Sequence, residues 1–146
     1  MHTVLACISL IATGLFTGIA AAVSLGCAPI WGSQDTLVFR NSFTSIVPRV
    51  DRVQPLLEIL AALTSACYAV TVDSAPRILA FATAAIMLAI AVGSLAFLVP
   101  VQTDIMSCTE SDLLGAWRAR WLPGHHLRST IAVIAFACIS TAVALQ

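Results

Sequence analysis

The residues best suited to chemistry stand in one string, Trp117-Arg-Ala-Arg-Trp121-Leu-Pro-Gly-His125-His126-Leu-Arg128. Imidazole is the side chain whose proton moves most readily near neutral pH. Arg128 follows His125 by three residues and His126 by two. On a helix the three-residue spacing sets imidazole and guanidinium on neighbouring positions of one face. A base beside a fixed cation is suited to removing a proton and holding the oxyanion that results. The same residue types also anchor helix ends at a membrane surface, and the pattern alone leaves both readings open.

Glu58 is the second candidate. It is the one charged residue in the apolar stretch Val53–Val72, and Gln54 lies a turn earlier on the same face. An ionisable group inside a membrane span is costly enough to be a functional candidate. Arg128, Arg52 or a histidine would be its partner; the competing reading is an ion pair that only ties two helices together. Gln102 and Asp104 close the third apolar stretch on the same side. They either share a cavity with His125 and Glu58 or cap a helix end in water. No metal site is expected: adjacent histidines on a helix point about 100° apart, and no HxxxH or HxH spacing occurs.

Positioning these groups falls to long apolar elements. Thr3–Ile30, Ile78–Thr103 and Ser129–Gln146 carry no charge at all. A hydrocarbon core takes about 20 apolar residues per helical crossing. With 146 residues, 60% of them hydrophobic and 10% charged, the chain is no soluble domain and has room for one compact unit. Its net charge of zero gives no pull toward nucleic acid. The expected fold is all-α: an integral membrane four-helix bundle forming one domain over residues 1–146. Its spans are expected near 3–26, 53–72, 77–100 and 126–145. Thr109-Glu-Ser-Asp112 reads as a capping box opening a short amphipathic interfacial helix between spans three and four. Leu114, Trp117 and Trp121 lie on one face of it, and Pro123-Gly124 is expected to end it. Asp73 or Ser74 is expected to cap span three. Gly14, Gly18, Ala22 and Gly26 make a smooth stripe on span one that lets a neighbouring backbone approach closely. That first stretch lacks a basic leader and outruns a signal-peptide core, so it is expected to be retained.

Arginine placement sets the expected orientation. Arg40, Arg49 and Arg52 fall in the first long loop, Arg118, Arg120 and Arg128 in or at the end of the third, and Arg77 alone on the other side. This bias puts loops one and three in the cytoplasm and both termini opposite. The five cysteines, Cys7, Cys27, Cys67, Cys108 and Cys138, contain no CxxC pair, which argues against thiol oxidation chemistry. Cys27 and Cys108 fall on the same side, so a bridge between them is conceivable.

Four short spans, a Gly/Ala-rich first helix running into Cys27-Ala-Pro29, a Pro100-Val-Gln102 turn, and Trp-x₃-Trp-x₃-His-x₂-Arg leading into the last helix resemble the anthrone oxygenase family. The resemblance covers nearly the whole chain, and Leu122-Pro-Gly-His-His-Leu-Arg-Ser129 is its most specific piece. Gln102 stands where relatives often carry Asn. The resemblance implies an oxygenase without a cofactor that oxidises an anthrone-like aromatic polyketide to a quinone with O₂, in secondary metabolism. His126 or His125 would be the base, Arg128 the oxyanion partner, and Trp117 or Trp121 the stacking wall, with Glu58, Gln54 and Gln102 contacting substrate. Expected partners are the lipid bilayer, a hydrophobic aromatic substrate and O₂; homo-oligomer formation stays open. The rival readings are a small four-span exporter exchanging protons through Glu58, and a tetraspan scaffold without chemistry.

Overall fold

A computed structural model of the chain describes residues 2–146, and every regular element among them is helical. In chain order these are α1 (His2–Ala22), α2 (Ala28–Ser33), α3 (Thr36–Val50), α4 (Gln54–Ala69), α5 (Ser74–Gly93), α6 (Val99–Ser107) and α7 (Ser111–Ala144). Three continuous rods are long and apolar enough to cross a membrane: His2–Ser33, Ser74–Ser107 and Ser111–Ala144. The fourth apolar stretch forms α4, whose 16 residues give about 24 Å of helix. The four long helices pack in a ring, α1 against α4 and α7, and α5 against α4 and α7.

Two rods pass through positions expected to end them. A π-helical turn, Val23–Cys27, joins α1 to α2, and a second, Ser94–Leu98, joins α5 to α6. Each lies just before a proline, Pro29 or Pro100, in the first turn of the next helix. Proline has no N–H for the carbonyl four residues back, and its ring crowds that carbonyl. Widening the turn lets the Ala28 N–H reach the Val23 carbonyl and the Val99 N–H reach that of Ser94, so the axis continues.

The separate interfacial helix is also corrected. Ser111–Ala144 is one helix, with Pro123 inside it. Its buried stripe, Leu114, Trp121, His125, Arg128, Ala132, Ala135, Ile139 and Ala142, stays in helical phase across Pro123-Gly124. Packing along that whole face outweighs the one hydrogen bond proline removes. The expected caps differ as well. Ser111 Oγ pairs with Thr36 Oγ1 at 2.8 Å, and neither Glu110 nor Asp73 makes a side-chain cap. Asp73 instead pairs with Arg77 at 2.6 Å.

Segment 31–52, which reads as mixed and polar, contains α3. Its apolar face is Phe39, Phe43 and Val47, buried at four-residue spacing, and Asp35 caps it by accepting from the Leu37 N–H at 2.9 Å. These residues meet Trp31, Leu114 and Trp121 in an aromatic cluster at one end of the bundle. Arg118 donates to the Trp31 and Gln34 carbonyls, and Arg40 to that of Met106, so two of the loop arginines tie down the C-terminal ends of α2 and α6.

Below the cluster the core turns to small residues and hydroxyls. Thr17 donates to the Ala132 carbonyl, Thr83 to that of Ala135, and Tyr68 to that of Ala142. Small side chains and hydroxyl bonds to a neighbouring backbone are how helices associate in lipid. Of the Gly14–Gly26 stripe only Gly14 is used inside the bundle, where an added Cβ would meet Phe136 at 3.0 Å. All five cysteines are free, so Cys27 and Cys108 form no bridge; both pack against the aromatic cluster.

Candidate functional site

The site lies where the aromatic cluster meets the bundle. Trp121 and His125 are one turn apart on α7, and their rings stack at 4.6 Å between centroids with 12° between planes. Arg128, three residues on, is buried and lies over the Phe16 ring at 5.7 Å. Its Nη2 donates to Gln54 Oε1 at 3.0 Å and meets His125 Nδ1 at 3.2 Å. Ser129 Oγ bonds the Ala20 carbonyl at 3.1 Å and Ser24 Oγ at 2.8 Å, fixing this part of α7 to the first rod.

These contacts set the protonation pattern. A guanidinium only donates, so His125 Nδ1 must offer its lone pair and Nε2 must carry the hydrogen. That Nε2 is buried without a hydrogen-bond partner among the described residues. Four further buried polar atoms of the site lack partners among the described residues: Gln54 Nε2, Ser94 Oγ, Trp121 Nε1 and Arg128 Nε. Unsatisfied buried groups are rare and concentrate where a ligand or water completes the bonding.

Two hollows meet at Arg128. A cavity of about 280 Å³ is lined by Asp51, Gln54, Glu58, Ser94, Gln102 and Arg128, with apolar walls from Leu95, Leu98 and Met106. A groove of about 290 Å³ runs between α5 and α7, lined by Gly93, Phe97, Gly124, Leu127 and Ile131. Phe97 and Leu127 are more than half exposed on the bundle's outer face. Ser94, Leu98 and Arg128 border both hollows. The groove is apolar apart from the serine and the arginine, so it suits the passage of an oily molecule, while the cavity combines apolar walls with polar groups that could hold one in place.

Glu58 is buried and makes no hydrogen bond or ion pair among the described residues. Among those residues no carboxylate oxygen lies within 4.0 Å of an Arg128 nitrogen, so a buried cation and a buried acid share a cavity without touching. Asp51, half-buried at the end of α3, has its carboxyl pushed above the usual range by burial, against the opposing pull of Arg128.

The structure brings together His125, Arg128, Gln54, Glu58 and Gln102 from the sequence candidates, with Trp121 stacked behind His125. It separates the two histidines: His125 is buried, whereas His126, about 100° further round α7, is exposed. Trp117 is half-buried, with the Arg120 guanidinium at 5.9 Å, and lines neither hollow. Asp104 is half-buried outside the cavity. Ser94, Asp51 and Phe16 were not legible as site residues; the only available signal was a serine ahead of a proline in a charge-free run, as at Ser24 and Ser94. Among the described residues no group of three or more His, Cys, Asp or Glu side chains comes together to hold a metal ion. Comparison of the chain with protein-family models, curated proteins and solved structures gave no match, so function has to be read from these side chains themselves.

Proposed function

We propose that the chain is a four-span membrane oxygenase that, without a cofactor, converts an anthrone-like aromatic to a quinone with O₂. Its long loops face the cytoplasm and its termini the opposite side, and its substrate arrives dissolved in the bilayer. One observation carries the reading: the buried guanidinium of Arg128, with no carboxylate within ion-pair distance among the described residues, braced by Gln54 and His125 between a lipid-facing apolar groove and a polar cavity. Such a preorganised cation stabilises charge developing on a substrate oxygen far better than solvent does.

An anthrone fits these demands. Its ring CH₂, flanked by two aryl groups and conjugated to a carbonyl, is acidic, and losing a proton there delivers negative charge to the carbonyl oxygen. The electron-rich enolate can give an electron to O₂ directly. The groove gives a lipid-dissolved polycycle its way in, the cavity walled by Leu95, Leu98 and Met106 gives it a seat beside Arg128, and Trp121 stacked on His125 holds the imidazole that orients Arg128.

The test is O₂ uptake and quinone absorbance with purified protein in lipid discs. The expected result is one quinone formed per O₂ consumed, with Arg128→Gln slower by about 10²-fold or more. Equal rates in the two proteins would remove the proposal. The proton-coupled exporter is the second reading, favoured by the buried Glu58 in α4, which has no ion-pair partner among the described residues. Solute uptake into vesicles that needs a proton gradient, with no quinone formed, would establish it instead.

A further inference from the structure

We propose that Glu58 is the proton acceptor of this site, and that the molecule it serves is a carbon acid whose acidic C–H lies across a ring from the oxygen held by Arg128. This rests on the oxygenase reading and assigns a role that neither histidine can fill. The reason is geometric. In a ring ketone of this kind the acidic CH₂ and the carbonyl occupy opposite edges of the central ring. The base must therefore stand apart from the cation, on the far side of the bound molecule. His125 stands at the wrong end, 3.2 Å from Arg128 Nη2. Its Nδ1 lone pair is already committed to that guanidinium, and its Nε2 already bears the hydrogen.

Two carboxylates line the same cavity as Arg128, Glu58 and Asp51. Asp51 lies at the end of α3, before α4 begins. Glu58 is one turn inside α4 beyond Gln54, about 6 Å deeper along the helix axis, beside the apolar liners Ile59 and Leu95. It is buried, free of hydrogen bonds among the described residues, and outside ion-pair distance of Arg128. An acid held in a cavity next to a cation, yet left unpaired, is positioned for a guest that sits between them.

The Glu58 carboxylate takes one ring CH₂ proton and becomes the carboxylic acid, while the electron pair of the broken C–H bond spreads to the oxygen facing Arg128. The enolate passes one electron to O₂, and the resulting carbon radical and superoxide join in a C–O bond. The new peroxide takes the proton back from Glu58. Glu58 then accepts the second hydrogen of the same carbon as the O–O bond breaks, and hydroxide leaving with that proton gives water. In sum, CH₂ and O₂ become C=O and H₂O; the carbon is oxidised and the oxygen reduced.

The experiment separates proton removal from oxidation. Full-length protein in lipid discs is incubated without O₂ in D₂O with 1,8-dihydroxyanthrone, and deuterium at the ring CH₂ is followed by NMR. The wild type is expected to accelerate exchange, Glu58→Gln to lose about 100-fold or more of that rate, and Glu58→Asp to keep part of it. His126→Ala, at an exposed position that lines neither hollow, is expected to keep it. Binding of the quinone product, followed by its visible absorbance, reports that each variant is folded. If Glu58→Gln does not fold, a slowed exchange in Glu58→Asp with product binding retained supports the assignment in its place. Exchange at the wild-type rate in the folded Glu58 variants overturns the assignment, as does loss of exchange in His126→Ala alone. Exchange in the wild type with no O₂ consumed on aeration removes the oxygenase reading and leaves Glu58 as the base. A wild type that does neither removes both.

Discussion

Arg128 Nη2 stands 3.2 Å from Nδ1 of His125, and that single contact dictates the imidazole's tautomer. Because guanidinium offers no acceptor, the hydrogen must sit on Nε2. Nitrogen-15 NMR of histidine-labelled protein is expected to show His125 as the Nε2–H tautomer, and Arg128→Gln to redistribute the hydrogen between the two nitrogens. A His125 signal of the Nδ1–H form in the wild type would contradict the arrangement.

The neighbouring histidine is expected to matter little. His126 is exposed on the outer side of α7, away from both hollows. His126→Ala should change anthrone turnover by no more than about twofold, in line with the roughly ±0.5 kcal/mol of ordinary surface changes. His125→Ala, which strips Arg128 of one of its two polar contacts, should raise KM and lower kcat together. Steady-state kinetics of the pair decides it, and the reverse ranking would place the chemistry outside the cavity.

Much of this was legible in the residues alone. The charge-free runs announced helices for lipid, and the His125–Arg128 spacing announced a shared face, because both follow from helical periodicity. What could not be read was phase across prolines. Pro29, Pro100 and Pro123 look like endings, yet two are absorbed by π turns and the third by the packing of Trp121 and His125 on either side of it. The choice between His125 and His126 depended on that same phase. Helix α3 was hidden because Phe39, Phe43 and Val47 are diluted by Arg, Asn, Ser and Thr, and their partners Trp31 and Trp121 lie far away in sequence.

Trp121 joins the two halves of the molecule. It is buried, stacks on His125, and packs edge-on to Phe43 at 4.9 Å and to Trp31 at 5.8 Å. Trp121→Ala should lower stability by about 3 kcal/mol or more through the cavity it leaves, and should also release His125. Thermal unfolding in detergent together with the NMR tautomer signal tests both effects. Loss of stability with the tautomer intact would show that Arg128 alone holds the ring.

Asp51 should leave a pH signature. Burial raises its carboxyl above the ordinary value of 3.8, so the folded state prefers the protonated acid. Its contribution to stability is therefore full below 3.8 and lost as pH rises through the higher folded-state value. Relative to Asp51→Asn, the wild type should gain thermal stability as pH falls toward 3.8, and the gap should be constant well above the folded value. A gap that moves the other way would mean that attraction to Arg128 dominates burial.

The groove offers the sharpest separation of binding from folding. An added Cβ at Gly93 meets nothing within 4 Å, yet the position lines the apolar groove that leads from the outer face to Arg128. Glycine inside a helix costs about 1 kcal/mol relative to alanine, so Gly93→Leu should leave stability unchanged or raised. Its side chain would occupy the route of a lipid-dissolved substrate, and KM should rise about tenfold, the loss of about 1.4 kcal/mol of binding. Gly124 is the contrasting case. An added Cβ there meets Leu98 Cδ2 at 3.1 Å, so Gly124→Val should obstruct the groove and also strain the bundle. If Gly93→Leu left KM untouched while the protein stayed folded, substrate would have to reach Arg128 from the loop end of the cavity instead of from the bilayer.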